Sequence, residues 1–179
     1  MRKKILLVLV LVIAVLLVVV ALQPADFRVV RSANIAATPA AVFERLNDFQ
    51  KWNDWSPWAK LDPNAKNSFE GPAAGVGAKL LWSGNNEVGE GTMTITDSKP
   101  SERVLMKLEF IRPFAATSTT EFILKPEGAG TAVTWSMSGR NNFIGKAVGL
   151  FMNCDKMVGG QFEQGFANLK ALVETPANK

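Results

Sequence analysis

Carboxylates are the side chains through which this chain could move a proton, because the sequence has no histidine and a single cysteine. These absences exclude Ser-His-Asp and Cys-His catalytic arrangements, histidine-rich zinc sites, intrachain disulfides and CxxC motifs. Any acid or base must then be a carboxylate, a lysine or a bound water. The composition therefore predicts no metal site and no cofactor, and it leaves carboxylates as the candidates for catalysis.

Two carboxylates stand out as candidate catalytic groups, Asp54 and Glu90. Asp54 lies inside an aromatic cluster, residues 52–58, where burial would suit a general acid or base. The alternative is an ordinary surface aspartate beside a loop. Strand alternation places Glu109 and Glu121 on the wet face of a sheet. No pair of carboxylates is marked by its spacing, so the sequence favours no particular reaction.

The net charge of the chain comes from its first residues. The 20 lysines and arginines oppose 16 acidic residues, and three of the cations are Arg2, Lys3 and Lys4. The remaining 17 cations nearly balance the acids, which argues against a nucleic-acid partner. The 157 residues after the first 22 suffice for one domain with a core and are too few for two comfortable ones.

The amino-terminal segment has the properties of a membrane anchor. Residues 5–22 are eighteen consecutive apolar residues, which as a helix rise about 27 Å, close to the hydrocarbon thickness of a bilayer. The three preceding cations keep the amino terminus inside. We therefore expect residues 1–22 to form a single-pass transmembrane helix. The domain that follows would lie on the outer, periplasmic side of the inner membrane of a bacterium.

A cleaved secretory signal is the alternative for the same segment. Val19-Val20-Ala21 would serve as a cleavage site, but the apolar run is longer than the 7 to 15 residues of a signal peptide. Gln23-Pro24 is also a poor continuation after such a site. The anchor is the favoured interpretation, and both place the domain in the same compartment.

The rest of the chain predicts a short linker, residues 23–26, and one α+β domain, residues 27–175. A strand at 27–35 precedes a helix opened by Thr38 as N-cap and Pro39. A second short helix and an irregular loop are expected as far as Asn67. Alternating runs from residue 78 to 139 then predict an antiparallel meander, for about seven strands in all. An amphipathic helix of about 20 residues ends the domain, with a kink or narrow point at Gly159-Gly160.

This order of elements, with several local stretches, resembles the polyketide cyclase/dehydrase branch of the START-like (SRPBCC, helix-grip) superfamily. The similar stretches are residues 32–43, 52–58, 75–77, 81–85, 91–93, 130–135 and 162–170. The resemblance extends from about Phe27 to Val173. It implies a curved antiparallel sheet packed on the long C-terminal helix. It also implies a cavity between them for an apolar small molecule, such as a lipid or a polyketide. It implies no shared catalytic residues.

A cavity of this kind needs apolar walls with a few polar groups. The candidate wall residues are Trp55, Trp58, Leu80, Trp82, Met93, Phe110, Trp135, Met137, Phe162 and Phe166. Ordinary core packing is the alternative for each of them. The aromatic cluster at 52–58 has two interpretations. It is either a lip of the cavity or an aromatic foot on the membrane, or it is a loop pinned to the core by its tryptophans.

Three functional hypotheses follow. The first is a membrane-tethered module that binds or carries an apolar ligand. The second is an enzyme of cyclase or dehydratase type, in which the cavity folds a substrate and Asp54 or Glu90 moves a proton. The third is an interaction domain that binds another membrane protein. The anchor and the lack of a marked catalytic pair favour the first.

Overall fold

A computed structural model describes residues 2–174 of the chain. The helices are α1 (Arg2–Leu22), α2 (Pro39–Leu46), α3 (Trp58–Leu61), α4 (Phe143–Phe151) and α5 (Cys154–Val173), with a 3-10 helix at Phe49–Asp54. The strands are β1 (Asp26–Ile35), β2 (Lys66–Glu70), β3 (Lys79–Ser83), β4 (Glu90–Lys99), β5 (Arg103–Arg112), β6 (Ala116–Glu127) and β7 (Gly130–Arg140). Residue 175, the predicted end of the domain, lies outside the described residues, as does residue 1.

The strands form one antiparallel sheet in the order β1-β7-β6-β5-β4-β3-β2. From β2 to β7 each strand pairs with the next along the chain, as expected for strands joined by short turns. β1 completes the sheet by pairing with β7, with Asp26 opposite Arg140 and Ile35 opposite Thr131. The curved sheet and the C-terminal helix make an α+β, helix-grip fold, so the predicted fold class is confirmed.

The segment before the meander differs from the expectation. An irregular loop is expected as far as Asn67, whereas β2 begins at Lys66. Every residue of β2 is exposed, so the alternation of apolar and polar residues that marks a half-buried strand is missing. The expected second helix is a 3-10 helix, followed by the single turn of α3. β1 also takes in Asp26, which the sequence assigns to the linker.

Capping residues set where the helices begin. Thr38 Oγ1 accepts a hydrogen bond from the backbone nitrogen of Ala41 at 3.4 Å, and Pro39 takes the first helical position, as predicted. Asn153 caps α5 in the same way and accepts from the backbone nitrogen of Lys156 at 2.9 Å. The buried residues of α5 then recur at spacings of three and four, which places them on one face. They are Gly159, Phe162, Gly165, Phe166 and Leu169.

The two ends of the sheet carry different connections. Because Asp26 pairs with Arg140 and Phe110 with Ala116, the end of α1, the start of α4 and the β5–β6 turn lie at one end. We call this the anchor end. The opposite or far end holds the β2–β3, β4–β5 and β6–β7 turns. α1 is long and apolar enough to cross a membrane, and it stands almost free of the domain.

Candidate functional site

Aromatic rings fill the middle of the space between α5 and the sheet. Trp135 of β7 stacks on Phe162 of α5, with ring centroids 4.0 Å apart and planes 9° from parallel. Trp55 and Phe122 lie against the same indole, at 5.6 and 4.7 Å. A Cβ on Gly165 would lie 2.8 Å from Cζ3 of Trp135. The cavity that the resemblance implies beneath the long helix is therefore occupied by side chains at this point.

The predicted wall residues fall into two groups. Seven of them are buried: Trp55, Leu80, Met93, Trp135, Met137, Phe162 and Phe166. The other three are half-buried: Trp58, Trp82 and Phe110. Trp58 lies at the border of the ring cluster formed by Trp55, Phe122, Trp135 and Phe162, with its centroid 5.9 Å from that of Trp135. Trp82 and Phe110 contact each other edge to face at 5.9 Å, away from α5, which packs most closely on β1.

An apolar surface on the inner face of β2 to β5 is only partly covered. Its residues form two neighbouring rungs of the sheet, because directly paired residues share a face. The first rung is Phe69, Leu80, Met93 and Leu108, and the second contains Trp82 and Phe110 on either side of Gly91. We call these six apolar side chains the open wall. Phe69 is 44% exposed, and Leu108, Trp82 and Phe110 are half-buried.

Segment 49–62 runs over the edge of the open wall and is tied to the sheet by hydrogen bonds. Asn53 Oδ1 accepts from Nδ2 of Asn67 at 3.2 Å, and Asp62 Oδ2 accepts from the backbone nitrogen of Asn85 at 2.7 Å. Beside Phe69, a depression of about 210 Å³ opens between the 3-10 helix and the strands. That volume is below the usual 300 to 1,000 Å³ of small-molecule sites.

The tryptophans of segment 52–58 hold it to the core. The indole nitrogen of Trp52 donates to the Leu46 carbonyl at 3.0 Å, and that of Trp55 donates to the Arg45 carbonyl at 3.2 Å. Both rings are buried. The interpretation of this segment as a pinned loop is therefore correct for Trp52 and Trp55. The aromatic foot on the membrane is wrong for them, because a buried ring cannot reach headgroups.

A few polar groups, which the sequence does not mark as candidate site residues, lie among the apolar ones. Ser118 and Thr120 are buried on the inner face of β6, with Ser118 opposite Leu108 of the open wall. Their signal in the sequence is the phase of β6, since they share the two-residue period of Phe122 and Leu124. Within residues 2–174, Nε1 of Trp135 is the buried side-chain polar atom that has no hydrogen-bond partner.

The candidate acids lie outside this interior. Asp54 is exposed and accepts from Nη1 of Arg45 at 3.3 Å. Glu90 accepts from Nε of Arg112 at 2.8 Å. The structure therefore brings neither carboxylate to the open wall and does not bring the two together. Glu109 and Glu121, expected on the wet face, pair with Lys107 and Arg103. Among the described residues, no group of three His, Cys, Asp or Glu could hold a metal.

An arginine of β1 holds the first turns of α5 against the sheet. Nη2 of Arg31 lies 3.0 Å from Asp155 Oδ2, and its Nε lies 2.8 Å from Glu163 Oε1. Hydrogen bonding from Arg31 keeps the pKa of Asp155 below its usual value. Any Cβ at position 159 would collide with this guanidinium. The narrow point predicted at Gly159-Gly160 is thus at Gly159, while Gly160 has open space.

A family model described as polyketide cyclase / dehydrase and lipid transport matches residues 26–174, and thus most of the chain. The chain belongs to this family. The resemblance noted in the sequence is thereby confirmed. The family and its START-like fold support a ligand-binding domain. A comparison with proteins of curated function gave no match.

Solved structures show the same fold at low sequence identity. Protein CV1439 from Chromobacterium violaceum matches with a TM-score of 0.60 and 18% identity, over 86% of this chain and 99% of its own. Protein MLL2253 from Mesorhizobium loti gives a TM-score of 0.61 and 19% identity, over 84% and 99%. The Aha1 dimer from Colwellia psychrerythraea gives 0.54 and 17%, over 83% and 94%. At these low identities, the structural likeness shows only the fold of this chain.

Proposed function

We propose that this protein is a membrane-tethered domain that binds an apolar small molecule, of lipid or polyketide-like kind, against the open wall. The observation that carries the proposal is the partial exposure of Phe69, Trp82, Leu108 and Phe110 on the inner face of the sheet. A ligand that covers them removes apolar area from water, which is favourable by about 25 cal/mol per Å². Membership in the family supports the same conclusion.

The polar groups beside the wall would orient such a ligand. Sites for small molecules are mostly apolar, with a few polar groups that fix the orientation of the ligand. The buried hydroxyls of Ser118 and Thr120 are groups of this kind. The depression of about 210 Å³ at Phe69 would widen when the ligand enters, by a shift of the exposed β2–β3 turn that lines it.

The tether and its location belong to the same proposal. α1 has 21 residues and rises about 31 Å, enough to cross the hydrocarbon layer. Its side chains are almost all exposed in the isolated chain, as suits a helix that lipid covers. With Arg2, Lys3 and Lys4 held inside by the positive-inside rule, the domain would stand on the outer face of the inner membrane.

Photocrosslinking in intact cells tests the proposed ligand site without knowledge of the ligand. Phe110 of the full-length chain is replaced by benzoylphenylalanine, and the protein is irradiated, purified and weighed by mass spectrometry. We expect an adduct with the mass of an apolar small molecule. Benzoylphenylalanine at Val30 is the matched control, because Val30 is an exposed apolar residue on β1, away from the wall.

The outcomes separate the hypotheses. A small-molecule adduct at 110 that is absent at 30 supports the proposed site. Crosslinks from position 110 to another protein would contradict the proposed ligand site and support the interaction-domain hypothesis. Equal adducts at both positions would reduce the wall to an unspecific apolar surface and contradict the proposal.

A further inference from the structure

Large apolar side chains are exposed at the anchor end of the domain. Outside α1, the exposed large hydrophobic residues are Val30, Phe69, Val76, Ile111, Phe114, Phe143, Ile144, Phe151, Met152 and Met157. The other seven lie at the end of β5 and in the β5–β6 turn, in α4 and the link that follows it, and in the first turn of α5. We call these seven the apolar collar. Exposed apolar surface that is concentrated in this way marks an interaction site.

α4 is the main part of the collar. Eight of its nine residues, Phe-Ile-Gly-Lys-Ala-Val-Gly-Leu-Phe, are apolar or glycine, and none is buried. Phe151 is 80% exposed. A helix with this composition is normally buried in a core. The only charged side chain of α4 is Lys146, whose Nζ donates to the backbone carbonyl of Ala21 at the end of α1, at 3.0 Å.

The collar is fixed close to α1 by the chain itself. Three residues, 23–25, separate the end of α1 from β1, and three extended residues span about 10 Å at most. The backbone nitrogen of Asn141, just before α4, donates to the carbonyl of Ala25 in this link at 2.8 Å. If α1 crosses a bilayer, the collar therefore cannot leave the surface of that bilayer.

We propose that the apolar collar inserts into the headgroup layer of the bilayer that holds α1, so that α4 lies in the membrane interface. The inference rests on the membrane tether of the proposed function. Interfacial helices bury one apolar face at the boundary between headgroups and acyl chains, and basic side chains favour anionic lipids. Lys146 and the exposed Arg140 supply that charge next to the collar. The tether thereby gives the domain a fixed orientation, with its far end pointing away from the membrane.

Spin labels on single cysteines of the full-length chain test this orientation. In a Cys154→Ser background, Phe151→Cys places a label in the collar, and Val76→Cys places the control at the far end. Val76 is also an exposed apolar residue, with 57% of its surface accessible. A third variant, Leu11→Cys, reports on α1. The labelled protein is reconstituted in vesicles of phosphatidylcholine and phosphatidylglycerol. The accessibility of each label to oxygen and to a water-soluble nickel complex is then measured.

We expect the label at 151 to be several-fold less accessible to nickel than the label at 76, and the label at 11 to be accessible to oxygen alone. Equal nickel accessibility at 151 and 76, with 11 shielded, would overturn the collar and leave the tether intact. Free nickel access at 11 would overturn the tether and the collar together. Shielding at 151 with spin-spin broadening at a low protein-to-lipid ratio would show that a second copy covers the collar, which also overturns the proposal.

Discussion

α4 and α5 follow one another with only two residues between them, yet they use apolar side chains in opposite ways. α4 is almost wholly apolar and has no fully buried residue, whereas α5 alternates polar and apolar residues and buries a continuous face. Phe151 of α4 is 80% exposed and Phe162 of α5 is 1% exposed. The spacing of apolar residues therefore decides which helix packs on the core. A helix with one apolar stripe can bury that stripe against a sheet while its polar face stays in water.

The same contrast separates the two ends of the sheet. At the far end, polar side chains hydrogen-bond to one another. Ser98 Oγ, for example, donates to Asn47 Oδ1 at 2.7 Å. At the anchor end, apolar side chains of α4 and of the β5–β6 turn remain without cover. The domain is thus complete in water at one end and, on our proposal, is completed by lipid at the other.

Truncation of one phenylalanine in each helix should give the largest difference. Phe162→Ala removes the ring stacked on Trp135 and should lower the free energy of unfolding by about 3–5 kcal/mol, because it leaves a cavity in a packed core. Phe151→Ala should change it by less than about 0.5 kcal/mol. Urea unfolding of the full-length chain in detergent micelles, followed by tryptophan fluorescence, measures both. Similar losses would mean that α4 is part of the stable core.

A pair of glycines in α5 sharpens the contrast within one helix. Gly165→Ala pushes a methyl group towards Trp135 and Pro57, and such overpacking costs about 1–3 kcal/mol. Gly160→Ala meets open space and should stabilise the protein by up to about 1 kcal/mol through helix propensity. The same unfolding measurement compares them. If both substitutions stabilised the protein, α5 would not pack closely against Trp135 at Gly165.

Local patterns in the sequence were sufficient to predict most of the fold. Alternation marked the strands of the meander, and Thr38-Pro39 marked the start of α2. β2 could not be predicted in this way, because all of its residues are exposed. Its strand conformation comes from backbone pairing with β3. Pairing of this kind depends on tertiary structure, which a single-strand pattern does not contain.

The candidate site was predicted in part, for a similar reason. The phase of each strand placed Leu80, Trp82, Met93 and Phe110 on the inner face, where the structure has them. That α5 covers the β1 side of the sheet and leaves Trp82 and Phe110 half-buried depends on helix placement, which no periodicity shows. The contact of Arg31 with Asp155 joins residues 124 positions apart. The sequence drew attention to Asp54 for its aromatic neighbours, but the backbone turns its carboxylate outwards to Arg45.

Substitution of Arg31, which attaches α5 to the sheet, should give the smallest effect on stability. The pH dependence of the free energy of unfolding measures it. Because the Arg31 guanidinium donates to it, Asp155 has a lower pKa in the folded protein than the ordinary value of 3.8. Its contribution is therefore fully present above that pH and is lost as the pH falls through the lower, folded value. The wild-type protein should lose stability over this acidic range, and Arg31→Met should lose less because the contribution is already gone. The effect is small, since exposed ion pairs contribute little.

Arg28→Met, on the exposed face of β1, is the control and should keep the wild-type pH dependence. An unchanged acid profile in Arg31→Met would contradict a contribution of the Arg31–Asp155 pair to the attachment of α5.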